Sequence, residues 1–231
     1  MSTLGTAFDR INRYLAKVRR RNKLIAYCCV RLVKSPPTFA FQGETYTQFW
    51  HRYNSTWRNE RAVEIPIIRG VVRESPGARI LEVGNVLSHY GPVSHEVVDK
   101  YEKAEGVINE DICSYAPLKK YDLILSISTL EHVGWDEEPR RPEKILSAFE
   151  NLKCLLAPGG RIVVTLPLGY NAPLDQWMKE GKIAFTSRFY MQRLSSANVW
   201  REVGWEDVQD PHYDDTVPTA RELLIGIIEG T

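Results

Sequence analysis

The stretch Ile80-Leu81-Glu82-Val83-Gly84-Asn85 decides the fold, because a short apolar run ends there in an acid, a glycine and an amide. Such a run is typical of a buried strand that turns directly into a helix. Working outward, further strands are predicted at residues 95–99, 106–109, 121–126, 161–166, 205–208 and 223–228. Residues 143–156 carry apolar side chains at helical spacing, and Ala157-Pro158-Gly159-Gly160 ends that helix. The alternation predicts an α/β fold around a mostly parallel sheet.

The ends of the first three predicted strands carry side chains suited to a nucleotide. Gly84 would let the backbone approach a ligand, and Asp99, 17 positions after Glu82, could accept both ribose hydroxyl hydrogens. Asp111 could hold an adenine amino group while Ile112 presses on the ring. Because the carboxyl ends of parallel strands share one sheet edge, these groups are expected to form one binding site.

Five motifs then follow in order, over residues 77–170, at separations that resemble those of the class I S-adenosylmethionine-dependent methyltransferases. The resemblance is to the small-molecule type, whose fourth strand runs into Leu-Glu-His-Val. The motifs are Ile80-Leu81-Glu82-Val83-Gly84, Val98-Asp99, Asn109-Glu110-Asp111-Ile112, Tyr121 to Val133 with Leu130-Glu131-His132-Val133 at its end, and Leu155 to Arg161 with Pro158-Gly159-Gly160. The resemblance implies a Rossmann-like, doubly wound sheet of seven strands, mostly parallel with an antiparallel last strand and flanked by helices. It also implies S-adenosylmethionine as the cofactor.

The resemblance also implies roles for particular residues. His132 is the first candidate for the base that removes a proton from the acceptor, since an imidazole suits proton transfer near neutrality, and Glu131 would orient the cofactor or a backbone group. The alternative for His132 is a structural hydrogen bond in its loop. The expected cofactor contacts are Glu82, Gly84, Asn85, Asp99, Asp111, Ile112 and Ser128, and the expected acceptor contacts are Tyr170, Asn171, His89 and Tyr90.

Two departures from the family pattern bear on function. Val86 stands where the family usually has a second glycine, and its Cβ would restrict backbone approach to the methionine half of the cofactor. Either Gly91 supplies the missing freedom or cofactor binding is weakened. Ser128 stands where metal-binding relatives have an acid, so no metal is predicted.

The N-terminal region, residues 1–70, is predicted to be separate from the methyltransferase domain at residues 71–231. Residues 1–34 hold nine basic side chains and one acid, although the whole chain has a net charge of only +1. Leu4, Phe8, Ile11, Leu15 and Val18 form one stripe of a basic amphipathic helix. That stripe could pack on this chain or on a second subunit, lie on an anionic membrane surface, or contact nucleic acid. The aromatic-rich segment that follows is expected to act as a lid or brace.

The predicted function is transfer of a methyl group to a small-molecule or saccharide-type acceptor, at oxygen. The alternatives are a methyltransferase-like scaffold without activity and a nucleic-acid methyltransferase, the latter disfavoured by the acidic body and by the lack of an Asn-Pro-Pro-Tyr-type motif. No nucleic-acid partner is therefore expected, whereas a homo-oligomer remains an expectation. Four cysteines without zinc spacing favour a cytoplasmic protein, with peripheral membrane contact through residues 1–34 as a further hypothesis. The longest apolar stretch, Leu24 to Val33, is too short to span a membrane.

Overall fold

The computed structural model describes residues 22, 24–28, 30–32, 34–208, 211, 213–214 and 219–230. The predicted helix over residues 4–18 lies outside this range. The strands are β1 (Thr38–Phe41), β2 (Glu44–Thr47), β3 (Ile80–Val83), β4 (Glu96–Val98), β5 (Val107–Ile108), β6 (Tyr121–Ile127), β7 (Leu156–Pro167), β8 (Ser187–Arg193), β9 (Trp200–Val203), β10 (Tyr213–Asp214), β11 (Thr219–Ala220) and β12 (Glu222–Glu229). The α-helices are α1 (Arg61–Arg73), α2 (Lys144–Leu155) and α3 (Ala172–Lys179).

Within the described residues, the central sheet has the strand order β5-β4-β3-β6-β7-β12-β8-β9. The first five strands pair in parallel, and β12 runs antiparallel to both β7 and β8. The expected α/β, Rossmann-like sheet with an antiparallel last strand is therefore confirmed. From β3 the chain continues to β4 and β5 on one side, and it then returns to β6 on the other side of β3. The connections after β3 and β6 therefore leave the carboxyl edge of the sheet in opposite directions, and ligands bind at that point in such sheets.

The sheet has eight strands in the described residues, not seven, and the prediction was wrong on the C-terminal side. Residues Trp205–Val208, expected as a strand, form a 3₁₀ helix with Trp205 exposed and Val208 buried. The strands in this region are β8 and β9, which contain polar and charged residues and show no clear alternation of apolar and polar side chains. They form because β12 offers β8 an antiparallel partner, a contact that local sequence does not encode.

Both faces of the sheet are covered. Strand β6 is buried on each side, with Ile124 facing a cluster that includes Phe149 and Leu152 of α2, and Leu125 facing a cluster that includes Ile65 and Ile68 of α1. Two-sided burial explains why β6 is an almost continuous apolar run. The predicted helix over residues 143–156 is confirmed as α2.

Helix α1 is tied to the aromatic-rich segment through its internal proline. Pro66 has no N–H to donate to the carbonyl of Ala62, and the N–H of Phe49 donates to that carbonyl instead, at 2.8 Å. The β1–β2 hairpin packs on the same side, where Phe41 meets Phe189 of β8 edge to face at 5.7 Å. Helix α1 continues through residue 70, and a domain division there stays a prediction. No helix in the described part of the chain has the length and hydropathy needed to cross a membrane.

Candidate active site

A two-part cleft lies at the carboxyl ends of β3, β4 and β6. One cavity, of about 490 Å³ including space open to solvent, combines apolar with charged side chains, and a more open one of about 1010 Å³ is lined mainly by polar and aromatic side chains. We call them the slot and the chamber. The residues common to both are Gly84, Asp99, Tyr101, Thr129 and His132. The two cavities therefore adjoin each other along these residues, at the edge that the sequence predicted, and we call them together the cleft.

Gly84 lies where the slot meets the chamber, and its backbone conformation requires a glycine. Its φ of +86° is one that side chains rarely adopt, and a Cβ at this position would lie 2.2 Å from Oγ1 of Thr129. The N–H of Gly84 donates to the carbonyl of Val98 at 2.8 Å, which holds the tip of β3 against the tip of β4. The close approach of Thr129 brings the end of β6 into the same junction.

Glu82 holds the loop after β3 and does not line the cleft. Its fully buried carboxylate accepts the N–H groups of Val86 and Leu87 through Oε1, at 2.8 Å each, and contacts Nε2 of His95 through Oε2 at 2.7 Å. The structure therefore gives Glu82 a role in shaping the loop, where the sequence suggested a cofactor contact.

The same geometry explains how Val86 replaces the usual glycine. Its backbone has φ −108° and ψ −52°, a conformation open to any L residue. Its side chain packs against an apolar cluster while it borders the chamber. The backbone conformation of the loop thus does not require a glycine at residue 86, and the effect of the Val86 side chain on cofactor binding stays a prediction.

Asp99, at the end of β4, lines both the slot and the chamber. Its Oδ1 accepts the N–H groups of Tyr101 and Glu102 at 2.9 and 2.7 Å, and Oδ2 accepts the more distant N–H of Asn85 at 3.2 Å. The side chain of Asn85 donates to Oε1 of Glu102 at 2.9 Å, and Glu102 in turn lies 3.0 Å from Nε2 of His89. Two carboxylates, Asp99 and Glu102, thus stand side by side at the cleft, and the sequence identified only the first.

The slot is lined by apolar side chains and by members of an ion cluster. The apolar residues are Val83, Val98, Ile112 and Val133. In the cluster, Asp111 accepts from Nζ of Lys144 at 2.6 Å and lies 3.1 Å from Nζ of Lys100, and both lysines also pair with Glu137 at 2.9 Å.

Asp111 is held in its charged form by this cluster. Burial alone would raise the pKa of Asp111, but the hydrogen bonds from Lys144, the Cys113 N–H and Lys100 hold it well below its usual range. The carboxylate is therefore already engaged in ion pairs, where the sequence suggested a contact with an adenine amino group. Ile112 faces the slot as expected.

His132 faces both cavities, with its side chain about half exposed. Its Nδ1 lies 2.5 Å from Oδ2 of Asp136, and the same oxygen accepts the hydroxyl hydrogen of Tyr170 at 2.6 Å. The Tyr170 ring packs edge-on against the imidazole at 4.9 Å. Because a carboxylate only accepts, Nδ1 of His132 carries a proton in this contact, and in the neutral form of the ring the lone pair is then on Nε2. Burial and the bond to Asp136 raise the pKa of Tyr170, so its phenol stays protonated.

Glu131 lies beneath His132 and is almost fully buried. Its Oε1 is 3.6 Å from Nε2 of His132, and its Oε2 has no hydrogen-bond partner in the described structure. Burial raises the pKa of Glu131 well above its usual range. Glu131 does not line either cavity, so its expected catalytic role stays a prediction.

A buried hydrogen-bond network behind the cleft includes Ser128, which the sequence predicted as a site residue. The hydroxyl of Ser128 donates to Oε1 of Glu64, which also accepts from Thr165, while Oε2 of Glu64 pairs with Arg61 at 2.8 Å. The guanidinium of Arg61 also donates to the carbonyl of Ile127 at 3.0 Å and reaches the wall of the chamber. Ser128 thus joins the end of β6 to α1, where the sequence suggested a cofactor contact.

Aromatic residues form much of the chamber wall. The rings of Tyr53 and His89 stack at 4.3 Å, and Tyr90 meets Tyr53 edge to face at 5.7 Å. Burial raises the pKa of Tyr90 to about 12, so it is a hydrogen-bond donor at neutral pH. His89 and Tyr90 line the chamber as predicted, and Tyr53, Asn54 and Arg61 join them from the N-terminal segment. Only the aromatic richness of that segment pointed to them in the sequence.

Asn171 has a structural role that differs from the expected acceptor contact. Its Oδ1 accepts the N–H of Leu174 at 3.1 Å and so caps helix α3, while its Nδ2 donates to the carbonyl of Glu131 at 2.8 Å. It is buried and lies outside the walls of the cleft. Tyr170 is likewise absent from the walls but contacts His132.

Among the described residues, no group of three His, Cys, Asp or Glu side chains is placed to hold a metal ion.

Comparisons with known proteins give fold similarity only. No family model and no curated protein matches the chain. Solved structures that resemble it include a SAM-dependent methyltransferase from Archaeoglobus fulgidus (15% identity, 77% of this chain and 97% of that chain, TM-score 0.46). Others are the N-methyltransferase NodS from Bradyrhizobium japonicum with S-adenosyl-L-homocysteine (15%, 70% and 84%, 0.43) and a sugar N-methyltransferase from Streptoalloteichus (15%, 84% and 98%, 0.39). Likenesses this distant do not determine which reaction this chain catalyses.

Proposed function

We propose that this protein transfers a methyl group from S-adenosylmethionine to a small-molecule or saccharide-type acceptor, at an oxygen atom. The observation that carries the proposal is that the slot and the chamber adjoin and share the wall residues Gly84, Asp99, Thr129 and His132. A methyl donor in the slot and an acceptor in the chamber would meet at this junction. Holding two reactants at one junction is the main contribution that a protein makes to such a transfer.

The residues of the slot fit an adenosine group. Val98, Ile112 and Val133 offer apolar surface to a planar ring, and Asp99 stands at the border with the chamber, where a ribose would lie. In the described structure, Oδ2 of Asp99 accepts one N–H, that of Asn85 at 3.2 Å. It can therefore also accept a hydrogen bond from a ribose hydroxyl. When bound, S-adenosylmethionine supplies a methyl group already activated by the positive charge on sulfur.

The chemistry left to the chain is proton removal, which we assign to His132. Its Nε2 accepts the proton of the acceptor hydroxyl as the oxygen takes the methyl group, while Asp136 holds Nδ1–H and stabilises the imidazolium. The half-exposed ring then returns that proton to solvent. Tyr53, His89 and Tyr90 supply flat surface on which a ring-shaped or saccharide acceptor can stack.

Calorimetric titration with S-adenosylhomocysteine and S-adenosylmethionine tests the proposal without knowledge of the acceptor. Asp99→Asn removes the charge but keeps the size, and we expect it to weaken binding about tenfold or more, since a hydrogen bond to a charged group contributes about 1.5–3 kcal/mol. Asp122→Asn is the matched control: Asp122 also accepts a backbone N–H, from Arg79 at 2.7 Å, but it lies at the opposite end of the sheet.

Two outcomes would count against the proposal. If the folded wild-type protein binds neither ligand, the scaffold alternative replaces the enzyme. If both variants bind as well as the wild type, the assignment of Asp99 to the cofactor is wrong. Oligomeric state, the absence of a nucleic-acid partner and peripheral membrane contact stay predictions here.

A further inference from the structure

Tyr170 lies beside the proposed base but lines neither the slot nor the chamber. Its hydroxyl donates to Oδ2 of Asp136 at 2.6 Å, and the same oxygen contacts Nδ1 of His132 at 2.5 Å. The Tyr170 ring also packs edge-on against the imidazole, with 4.9 Å between the ring centroids. One residue of the loop after β7 therefore contacts both members of the His132–Asp136 pair in the loop after β6.

The loop after β7 is fixed on both sides of Tyr170. On one side, the N–H of Gly169 donates to Oδ2 of Asp175 at 2.8 Å. On the other side, Nδ2 of Asn171 donates to the carbonyl of Glu131, the residue directly before the base, at 2.8 Å. These bonds limit the positions that the phenol can take, so its hydroxyl stays within reach of the loop after β6.

The pair that Tyr170 contacts is exposed to solvent. The side chains of His132 and Asp136 are 46% and 44% exposed. A contact between two exposed side chains contributes little by itself, because water competes for both groups and each side chain keeps its rotational freedom. A second donor on the same carboxylate oxygen restricts that freedom, since Asp136 accepts from Tyr170 and His132 together only in the orientation that faces Nδ1. The bond from Tyr170 therefore keeps the carboxylate on the imidazole.

The position of Asp136 determines which nitrogen of a neutral His132 carries the proton. Beside the carboxylate that nitrogen is Nδ1, and Nε2 keeps the lone pair that a base needs. The carboxyl group of Glu131 does not compete, because its Oε1 lies 3.6 Å from Nε2, too far for a hydrogen bond. Without Asp136 in place, the proton of the neutral ring is free to move to Nε2, and that nitrogen then cannot accept a proton from a hydroxyl group.

We propose that Tyr170 is a positioning residue for methyl transfer: its hydroxyl holds Asp136 on Nδ1 of His132 and so keeps Nε2 free to act as the base. This role rests on the proposed function, in which His132 removes the proton of the acceptor hydroxyl. Tyr170 keeps its own proton throughout, because burial and the bond to Asp136 raise its pKa. The proton of the acceptor therefore passes to Nε2 alone, and the imidazolium that forms releases it to solvent.

Nitrogen-15 NMR of the ligand-free full chain tests this role, because the chemical shifts of the two imidazole nitrogens report which of them is protonated. At about pH 9, where imidazoles are neutral, we expect Nδ1 of His132 to be protonated and Nε2 to be unprotonated. In Tyr170→Phe, which keeps the ring and removes the hydroxyl, both nitrogens should shift toward the average of the two tautomers. The spectrum of His132→Gln identifies the signals.

Tyr121→Phe is the matched control. The hydroxyl of Tyr121 donates to Oε2 of Glu96 at 2.6 Å, the same kind of bond at the same length, but Tyr121 begins β6 and lies at the opposite end of that strand from the cleft. We expect the His132 signals of this variant to match those of the wild type. In methyl transfer, Tyr170→Phe should lower kcat about tenfold, the factor that a hydrogen bond to a charged group contributes, while the KM for S-adenosylmethionine stays nearly constant.

Three results would overturn the proposal: a wild-type ring protonated on Nε2, a Tyr170→Phe spectrum equal to that of the wild type, or an equal change in Tyr121→Phe. Asp136→Ala is a second variant, at an exposed position, and should also give averaged shifts; if it keeps the proton on Nδ1, the proposal is likewise overturned. Circular dichroism verifies that each variant is folded. Because these spectra need no ligand, the expected spectra from a protein that binds neither S-adenosylmethionine nor S-adenosylhomocysteine would refute the proposed function and still confirm that Tyr170 orients His132.

Discussion

Replacing Glu82 tests whether its carboxylate shapes the loop after β3 or contacts a ligand. In Glu82→Ala, the N–H groups of Val86 and Leu87 lose the oxygen that now accepts both at 2.8 Å, and the nearly buried His95 loses its partner. Water has little access to replace that oxygen, because Glu82 is fully buried and Leu87 is 4% exposed.

The expected loss of stability follows from those contacts. A buried donor left without an acceptor costs about 1–3 kcal/mol, so two N–H groups, one of them partly accessible, together cost about 3 kcal/mol. For a chain of this size, that loss lowers the melting temperature by about 6–12 °C.

Glu82→Gln separates the two roles. The glutamine Oε1 can still accept both N–H groups, and its amide can donate to His95 once that ring adopts the tautomer with Nε2 free. We expect Glu82→Gln to melt within a few degrees of the wild type, at a cost of about 1 kcal/mol, and to keep its affinity for S-adenosylhomocysteine. Thermal denaturation followed by circular dichroism and calorimetric titration provide the two measurements.

Either of two results would refute the reasoning. If Glu82→Ala melts like the wild type, the carboxylate does not hold the loop. If Glu82→Gln is as stable as the wild type but no longer binds S-adenosylhomocysteine, Glu82 contacts the ligand, as the sequence suggested.

Three further predictions concern the junction, the base and a buried carboxyl. Gly84→Ala should lower both the stability and the affinity for S-adenosylhomocysteine more than Gly77→Ala does. Both positions have positive φ, but only at residue 84 would a Cβ lie 2.2 Å from Thr129. Equal effects of the two variants would show that only the backbone strain matters. His132→Gln should reduce methyl transfer about 100-fold while the dissociation constant of S-adenosylhomocysteine stays nearly constant, and a parallel loss of binding would contradict its role as base. Burial raises the pKa of Asp175 to about 6 from 3.8, so its contribution to stability is present below about pH 4 and is lost as the pH rises to about 6. Asp175→Asn should flatten the dependence of melting temperature on pH across that interval, and an unchanged profile would show that this carboxyl does not cause it.

The strand tips could be found in the sequence because their signals are local. The apolar run ending at Gly84, the acid at Asp99 and the helical spacing of α2 each lie within a few residues, and the structure places the first two in the cleft. His89, Tyr90 and His132 also line the cleft, as expected from their positions in the loops after β3 and β6.

The roles of several predicted residues depended on distant partners. Asn171 caps a helix and bonds to the carbonyl of Glu131, 40 positions away, and Ser128 bonds to Glu64, 64 positions away. An amide or a hydroxyl in a loop looks the same in a sequence whether it faces a ligand or a buried neighbour. Only the folded chain decides which of these partners it meets.

The sequence by itself determined the α/β architecture and the sheet edge that holds the cleft, because hydrophobic periodicity and turn chemistry act over a few residues. The tertiary structure alone decided that β8 and β9 complete the sheet and that Tyr53 and Arg61 enter the chamber. Those outcomes depend on pairing and packing between segments far apart in the chain. Their energies come from contacts that exist only once the core has formed.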